Sequence, residues 1–203
     1  MIRLDIDDGL WTVTIDRPEK ANSLTRAMLG EIADIAERAA REEARVFVLR
    51  GEGKVFSAGA DLDEARAGLA TDPVWERLSG AIAALPCLTI AALNGTLAGG
   101  AMGMVLACDL RIAVPGAKVF YPVMKLGFLP QPSDPKRMAA LIGPARSKMI
   151  LMAGQKIEAA EACDWGLIDR IVAPEALADT VATLATDARA ASPAHVAGIK
   201  ALI

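Results

Sequence analysis

Apolar and charged residues alternate from the start of the chain. Ile2, Leu4 and Ile6 precede Gly9, and Trp11, Val13 and Ile15 follow it. A period of two on either side of a turn residue predicts a hairpin of two strands. The period then lengthens. After the loop "DRPEKANS", Met28, Leu29, Ile32, Ile35, Ala36 and Ala39 recur at helical spacing, with Thr25 or Ser23 available as N-cap. That pattern predicts an amphipathic helix from Thr25 to about Ala40. Val46 to Leu49 is a short apolar run of the kind a buried strand shows, and "GEGKVFSAGADLDE" carries it through a glycine-bearing loop into a helix starting near Asp61.

Further along, the pattern predicts a helix over Pro73 to Leu85, a buried strand over Leu88 to Leu93, and a helix from Gly100 to about Leu110. "RIAV" and "KVFYP" read as short strands. Pro135 to Leu141, Ala145 to Ala153, Ala159 to Trp165 and Pro174 to Ala188 read as helices. Strand, loop and helix therefore alternate through the first two thirds, and helices dominate the last third. No sequence repeat, low-complexity segment or linker interrupts this order.

From Ala81 to Cys108 no side chain is charged, and that run passes the length test for a membrane span. Pro86 near its start and Asn94-Gly95 in its middle argue otherwise. A spanning helix must satisfy all its own backbone groups, whereas this stretch divides into a β-branched half, "LTIAAL", and a helical half, "GAMGMVLACDL". No membrane insertion is expected.

With 203 residues, 53% of them hydrophobic and 23% charged, the chain is most simply one globular domain. A net charge of −3 without a long basic run removes the electrostatic footprint of a nucleic-acid binder. Small molecules or other subunits are the expected partners. The N-terminus lacks the long apolar region of a secretory signal. Cys87, Cys108 and Cys163 are odd in number and form no CxxC pair, which fits buried reduced thiols in a cytoplasmic protein. His195 is the only histidine, so no metal site is expected.

Two glycine-containing loops, "SAGADL" and "LAGGA", each lead from a predicted strand into a helix. The first N–H groups of a helix have no intrahelical partner and sit at the positive end of its dipole. Two such donors aimed at one point would form an oxyanion hole. Strand–glycine–helix corners are also ordinary packing devices, and local physics leaves both readings open.

"RPEKANSLTRAML" at 17–29, "VFSAGADLDE" at 55–64, "IAALNGTLAGGAMGMVLACDLRIA" at 90–113 and "GQKIEAAEACDWGLIDRIV" at 154–172 together resemble the crotonase, or enoyl-CoA hydratase/isomerase, superfamily. The resemblance implies an α/β fold, a spiral of ββα units with a truncated C-terminal helical region. Residues 1–191 would form the spiral core and 192–203 the start of a shortened helical segment. It also implies an acyl-CoA thioester substrate, with coenzyme A entering only as part of that substrate and no separate cofactor, and a homotrimer or dimer of trimers. Carried over by position, the N–H groups of Ala60 and Gly100 correspond to the two donors on the thioester oxygen. Ser23, Leu24, Ala58, Asp61, Leu62 and Gly99 correspond to positions that line or support the substrate passage. Asp61 has an alternative role as a local helix cap.

The chain also departs from the hydratase pattern. One hydratase glutamate corresponds to Gly103 and the other to Val123, so the two-glutamate hydration mechanism is not expected. A further acid position used by other members corresponds to Gln131. Asp134 is the only carboxylate nearby and a candidate displaced catalytic acid, although it precedes Pro135 and a helix, where N-capping is the simpler role. Tyr121 and Lys125 are candidate pocket-side donors, and Met124, Phe128 and Leu129 are expected to shape an apolar acyl pocket or core. His195 and Arg137 read as packing or surface residues. The expected activity is that of a lyase or isomerase working through an enolate, by decarboxylation or isomerisation. The alternative is a non-catalytic acyl-CoA-binding or structural subunit descended from such an enzyme.

Overall fold

The computed structural model describes residues 1–203. The expected hairpin is formed by β1 (Ile2–Asp7) and β2 (Leu10–Ile15), antiparallel with Ile2 opposite Ile15. The helix α1 (Arg26–Arg41) follows, and the Thr25 side chain accepts from Met28 N–H at 3.2 Å as its N-cap. Its buried positions, Met28, Leu29, Ile32, Ala33, Ala36 and Ala39, are the periodic ones.

From there the chain repeats one motif. β3 (Val46–Gly51) lies in a large sheet, β4 (Val55–Ser57) in a small one, and helices α2 (Leu62–Arg66) and α3 (Val74–Ala83) return the chain. β5 (Leu88–Leu93), β6 (Thr96–Ala98) and α4 (Met102–Leu106) repeat the course. β7 (Leu110–Ala113), β8 (Lys118–Phe120), α5 (Val123–Leu126) and α6 (Asp134–Leu151) repeat it again. The chain ends through β9 (Ile157–Glu158), α7 (Ala159–Trp165), β10 (Arg170–Ile171), α8 (Leu177–Ala190) and α9 (Pro193–Lys200).

The large sheet runs β1-β2-β3-β5-β7-β10 and the small one β4-β6-β8-β9. Apart from β1 in the large sheet and β9 in the small one, neighbouring strands are parallel. This is the expected α/β spiral of ββα units. β3 and β5 are buried along nearly their whole length because elements cover both faces of the parallel sheet, which is why they read as unbroken apolar runs.

Three expectations about elements change. The helix expected from Gly100 to Leu110 is a single turn, Gly99–Ala101, running into α4 and ending at Leu106. Asp109 ends it. Its N–H donates to Thr89 Oγ1 at 2.8 Å, and its carboxylate accepts Thr89 N–H at 2.8 Å, which draws the chain into the sheet beside β5. The helices expected on either side of 143 meet as one element, broken at Gly143 (φ 77°, ψ 164°) before Pro144. The charge-free run is divided among β5, β6 and α4, and no helix is long and apolar enough to cross a membrane.

Candidate active site

The loop after β4 is held from behind by residues of the segment before α1. Leu24 N–H donates to Gly59 O at 2.8 Å, and Asp61 N–H donates to Leu24 O at 2.8 Å. In such a parallel bridge both bonds run through Leu24, so the N–H of its partner Ala60 is turned away from the bridge. Asn22, fully buried with φ 55°, donates through Nδ2 to Glu52 O at 2.9 Å and to Val55 O at 2.6 Å. Ser57 Oγ donates to Asn22 O at 2.8 Å and accepts Gly59 N–H at 3.1 Å.

Asp61 closes this corner. Its Oδ1 accepts from Asp63 and Glu64 N–H, capping α2, and its Oδ2 accepts from Arg17 at 2.8 Å. The hydrogen bond from Arg17 is the largest cause holding its carboxyl below the ordinary range.

The second corner joins β6 to α4 through Gly99 and Gly100. Gly59 has φ +92°, a region side chains rarely adopt, and a Cβ there would lie 2.9 Å from Ala98 O and 3.3 Å from Gly99 Cα. The two corners therefore touch backbone to backbone. Gly100 lies in the first helical turn, where N–H groups have no intrahelical acceptor. Trp75 packs over it. A Cβ at Gly100 would meet three atoms of that ring at 3.1 Å, and Trp75 Nε1–H is anchored on Leu69 O at 2.8 Å.

A cavity of about 240 Å³ opens against both corners. Ala58, Ala60, Gly99 and Gly100 form its floor side, with Trp75, Tyr121, Val123 and Gln131 among the other walls. Leu62 also lines it while remaining 73% exposed. Of the residues expected to bind substrate, Ala58, Ala60, Leu62, Gly99 and Gly100 reach the wall. Ser23, Leu24 and Asp61 do not, and act on the site through the bonds just described. Phe128 and Leu129 line the outer part, whereas Lys125 is exposed and off the wall, and His195 is exposed on α9.

Asp134 is placed differently from either sequence expectation. It is fully buried and does not line the cavity. Nor is it the N-cap of α6, since Ser133 occupies that position and Asp134 is the first helical residue. Its Oδ2 accepts the Tyr121 hydroxyl at 3.0 Å, and its Oδ1 has no partner. A Cβ at Gly103 would lie 2.7 Å from that Oδ1, so the carboxylate fills the space a side chain at 103 would need. Burial pushes the Asp134 carboxyl up to about 7, with Glu76 adding to the rise and Tyr121 and Arg137 opposing it. Burial likewise raises the Tyr121 hydroxyl well above its ordinary value.

Trp75, on α3, carries no signal of this wall position in the sequence, because nothing local in "DPVWERL" separates a pocket wall from ordinary helix core. Burial pushes the Cys87 and Cys108 thiols up to about 11 and about 12, which suits packing rather than nucleophilic attack.

Known proteins share this architecture. The family model for enoyl-CoA hydratase/isomerase matches residues 5–203. The chain is 30% identical to the 1,2-epoxyphenylacetyl-CoA isomerase of Escherichia coli over 190 residues, 89% of this chain and 72% of that protein. It is 32% identical to an enoyl-CoA isomerase/hydratase of Mycosarcoma maydis over 178 residues, 80% of this chain and 65% of that one. A crystal structure of an enoyl-CoA hydratase from Bacillus anthracis superposes with a TM-score of 0.88 at 32% identity, covering 97% of this chain and 79% of that one. The chain spans about two thirds of the length of several curated relatives it matches.

Proposed function

The chain belongs to the enoyl-CoA hydratase/isomerase family, and from that membership we propose that it acts on an acyl-CoA thioester through an enolate whose oxygen is held by the N–H groups of Ala60 and Gly100. One observation carries this reading: Ala60 and Gly100, from touching strand-to-helix corners, both line a single apolar cavity. Donors fixed in place before reaction stabilise charge that develops on an oxygen without reorganising, and in a dry site they act more strongly than in water.

The walls favour some reactions over others. Hydration by two glutamates has no support, because Gly103 is buried and without a side chain and Val123 is an apolar wall residue. Decarboxylation of a malonyl-type thioester suits the cavity. The bond to the carboxylate breaks, carbon dioxide leaves, and the electron pair passes into the thioester to give the enolate, with no general base needed for that step. Isomerisation needs a proton moved between carbons, and Tyr121 is the one titratable residue on the wall. Coenzyme A enters as part of the substrate in this reading. Assembly as a homotrimer or dimer of trimers belongs to the same reading, and exposed Met124, Leu129 and Met152 supply apolar surface that such an assembly would cover.

Incubation of the protein with malonyl-, crotonyl- and 3-enoyl-CoA, read by mass spectrometry beside thermal shift, tests the proposal. A product from at least one ester is the expected result. A thermal shift without product would instead identify an acyl-CoA binder, and no response to any ester would overturn the proposal.

A further inference from the structure

We infer that Tyr121 and Asp134 form a proton relay in which Tyr121 exchanges a proton with the α-carbon of the bound thioester and Asp134, one residue behind the wall, takes up and resupplies that proton. The inference rests on the acyl-CoA reading above and adds the acid–base group that reading lacks.

Three features of the structure meet here. Tyr121 is part of the cavity wall, and its hydroxyl is 3.0 Å from Asp134 Oδ2. Asp134 is sealed from solvent and cannot reach a ligand except through that hydroxyl. Gly103 leaves room for the carboxylate, because any Cβ there would come within 2.7 Å of Oδ1. An acid in the first turn of a helix is ordinary, because the helix dipole favours it there. The dipole does not account for a carboxylate that is fully buried, leaves one oxygen without a partner and spends the other on a cavity-wall phenol.

The groups facing Asp134 define the relay. Glu76 of α3 is engaged by Ser133, through N–H at 3.0 Å and Oγ at 2.7 Å, and so is held out of it. Arg137 of α6 has an unpartnered Nη1 and forms no ion pair with Asp134. Gln131 N–H reaches the Tyr121 oxygen at 3.4 Å, which steadies the phenol. Gly103, from α4, brings no charge.

The steps balance without a further reactant. In abstraction the α C–H bond breaks, its electron pair enters the thioester to form the enolate, and the proton joins the Tyr121 oxygen as the Tyr121 hydroxyl proton passes to the Asp134 carboxylate. Delivery runs the same sequence in reverse. After decarboxylation, delivery alone occurs, and Asp134 regains its proton through the Tyr121 hydroxyl from water that enters the emptied cavity. Asp134 titrates close to neutrality because it is buried, so both of its protonation states are available near pH 7.

The test is exchange of α-hydrogen for deuterium in butyryl-CoA incubated with the full chain in heavy water, followed by mass spectrometry. The wild type is expected to exchange, with a rate that rises with pH and levels off as Asp134 loses its proton. Tyr121→Phe and Asp134→Asn should each slow exchange about 100-fold or more and abolish that inflection, while the thermal shift given by butyryl-CoA stays at the wild-type value. A purely structural pair would leave the pH profile intact. Wild-type exchange that is flat across the titration, or Tyr121→Phe exchange at the wild-type rate, would overturn the relay while leaving acyl-CoA binding in place. A wild type that neither binds nor exchanges butyryl-CoA, and neither binds nor converts any other ester, would overturn the acyl-CoA reading and the relay together.

Discussion

The corner after β4 and the corner after β6 occupy equivalent places in successive turns of the spiral, yet they are stabilised by opposite means. The first is tied by polar groups: Asp61 caps its helix and pairs with Arg17, and Asn22 and Ser57 hold its loop through backbone groups. The second has no capping side chain and no charge of its own. It is sealed by the Trp75 ring over Gly100 and by the Asp134 carboxylate over Gly103. A polar scaffold fixes one donor and a packed apolar scaffold fixes the other, so substitutions at the two corners should fail in different ways.

The largest effect is expected where a donor is removed. Gly100→Pro deletes that N–H and should lower kcat by about 10²–10³-fold, and Ala60→Pro should do the same at the other corner. Circular dichroism must show the fold retained, since a ring at position 100 also presses on Trp75. Equal losses at both corners would show that the two scaffolds aim their donors at one oxygen.

Next comes the buried acid of the second corner. Its carboxyl is raised from 3.8 to about 7 in the folded chain. Between about pH 4 and 7 the folded state therefore holds a proton that the unfolded chain has released, and stability falls as pH rises through that window. The penalty is full above about pH 7 and amounts to up to about 4 kcal/mol. Asp134→Asn should remove this fall, measured by urea unfolding at pH 4.5, 6 and 8.

Gly103→Ala should cost about 1–3 kcal/mol by crowding Asp134 Oδ1. The cost should shrink in an Asp134→Ala background, a coupling that urea unfolding of the four proteins measures. The smallest effect belongs to the polar corner. Asp61→Ala removes a cap and a partly buried ion pair with Arg17, and should lower Tm by a few degrees. Faster amide exchange at Asp63 and Glu64 would locate that loss.

The same contrast explains what could be read in the sequence. α7 falls where the apolar pattern puts it, and the hairpin and α1 within a residue or two, because each is long enough to show its period, while β5 is marked by an apolar run between Pro86 and Asn94. The strands β4 and β6 have three residues each, too few for a period, and exist because they pair across the spiral. α4 stops short because Asp109 bonds to Thr89, twenty residues away in sequence, which no local window contains. At the site, glycine-bearing corners were visible as such, but only family motifs singled out Ala60 and Gly100. Tyr121 lies in the loop between β8 and α5, Asp134 opens α6 and Gly103 lies in α4. Their meeting depends on α6 crossing α4, and the sequence signal for it was indirect: a missing side chain at 103 and an isolated acid at 134.

The central claim is that both corner amides bind one thioester oxygen, and isotope-edited infrared spectroscopy of bound butyryl-CoA labelled with ¹³C at the thioester carbonyl tests it most directly. The account predicts that the carbonyl band moves to lower frequency on binding to the wild type, and returns most of the way towards its solution value in folded Gly100→Pro and Ala60→Pro. A band at the same frequency in bound wild type and in both variants would contradict it.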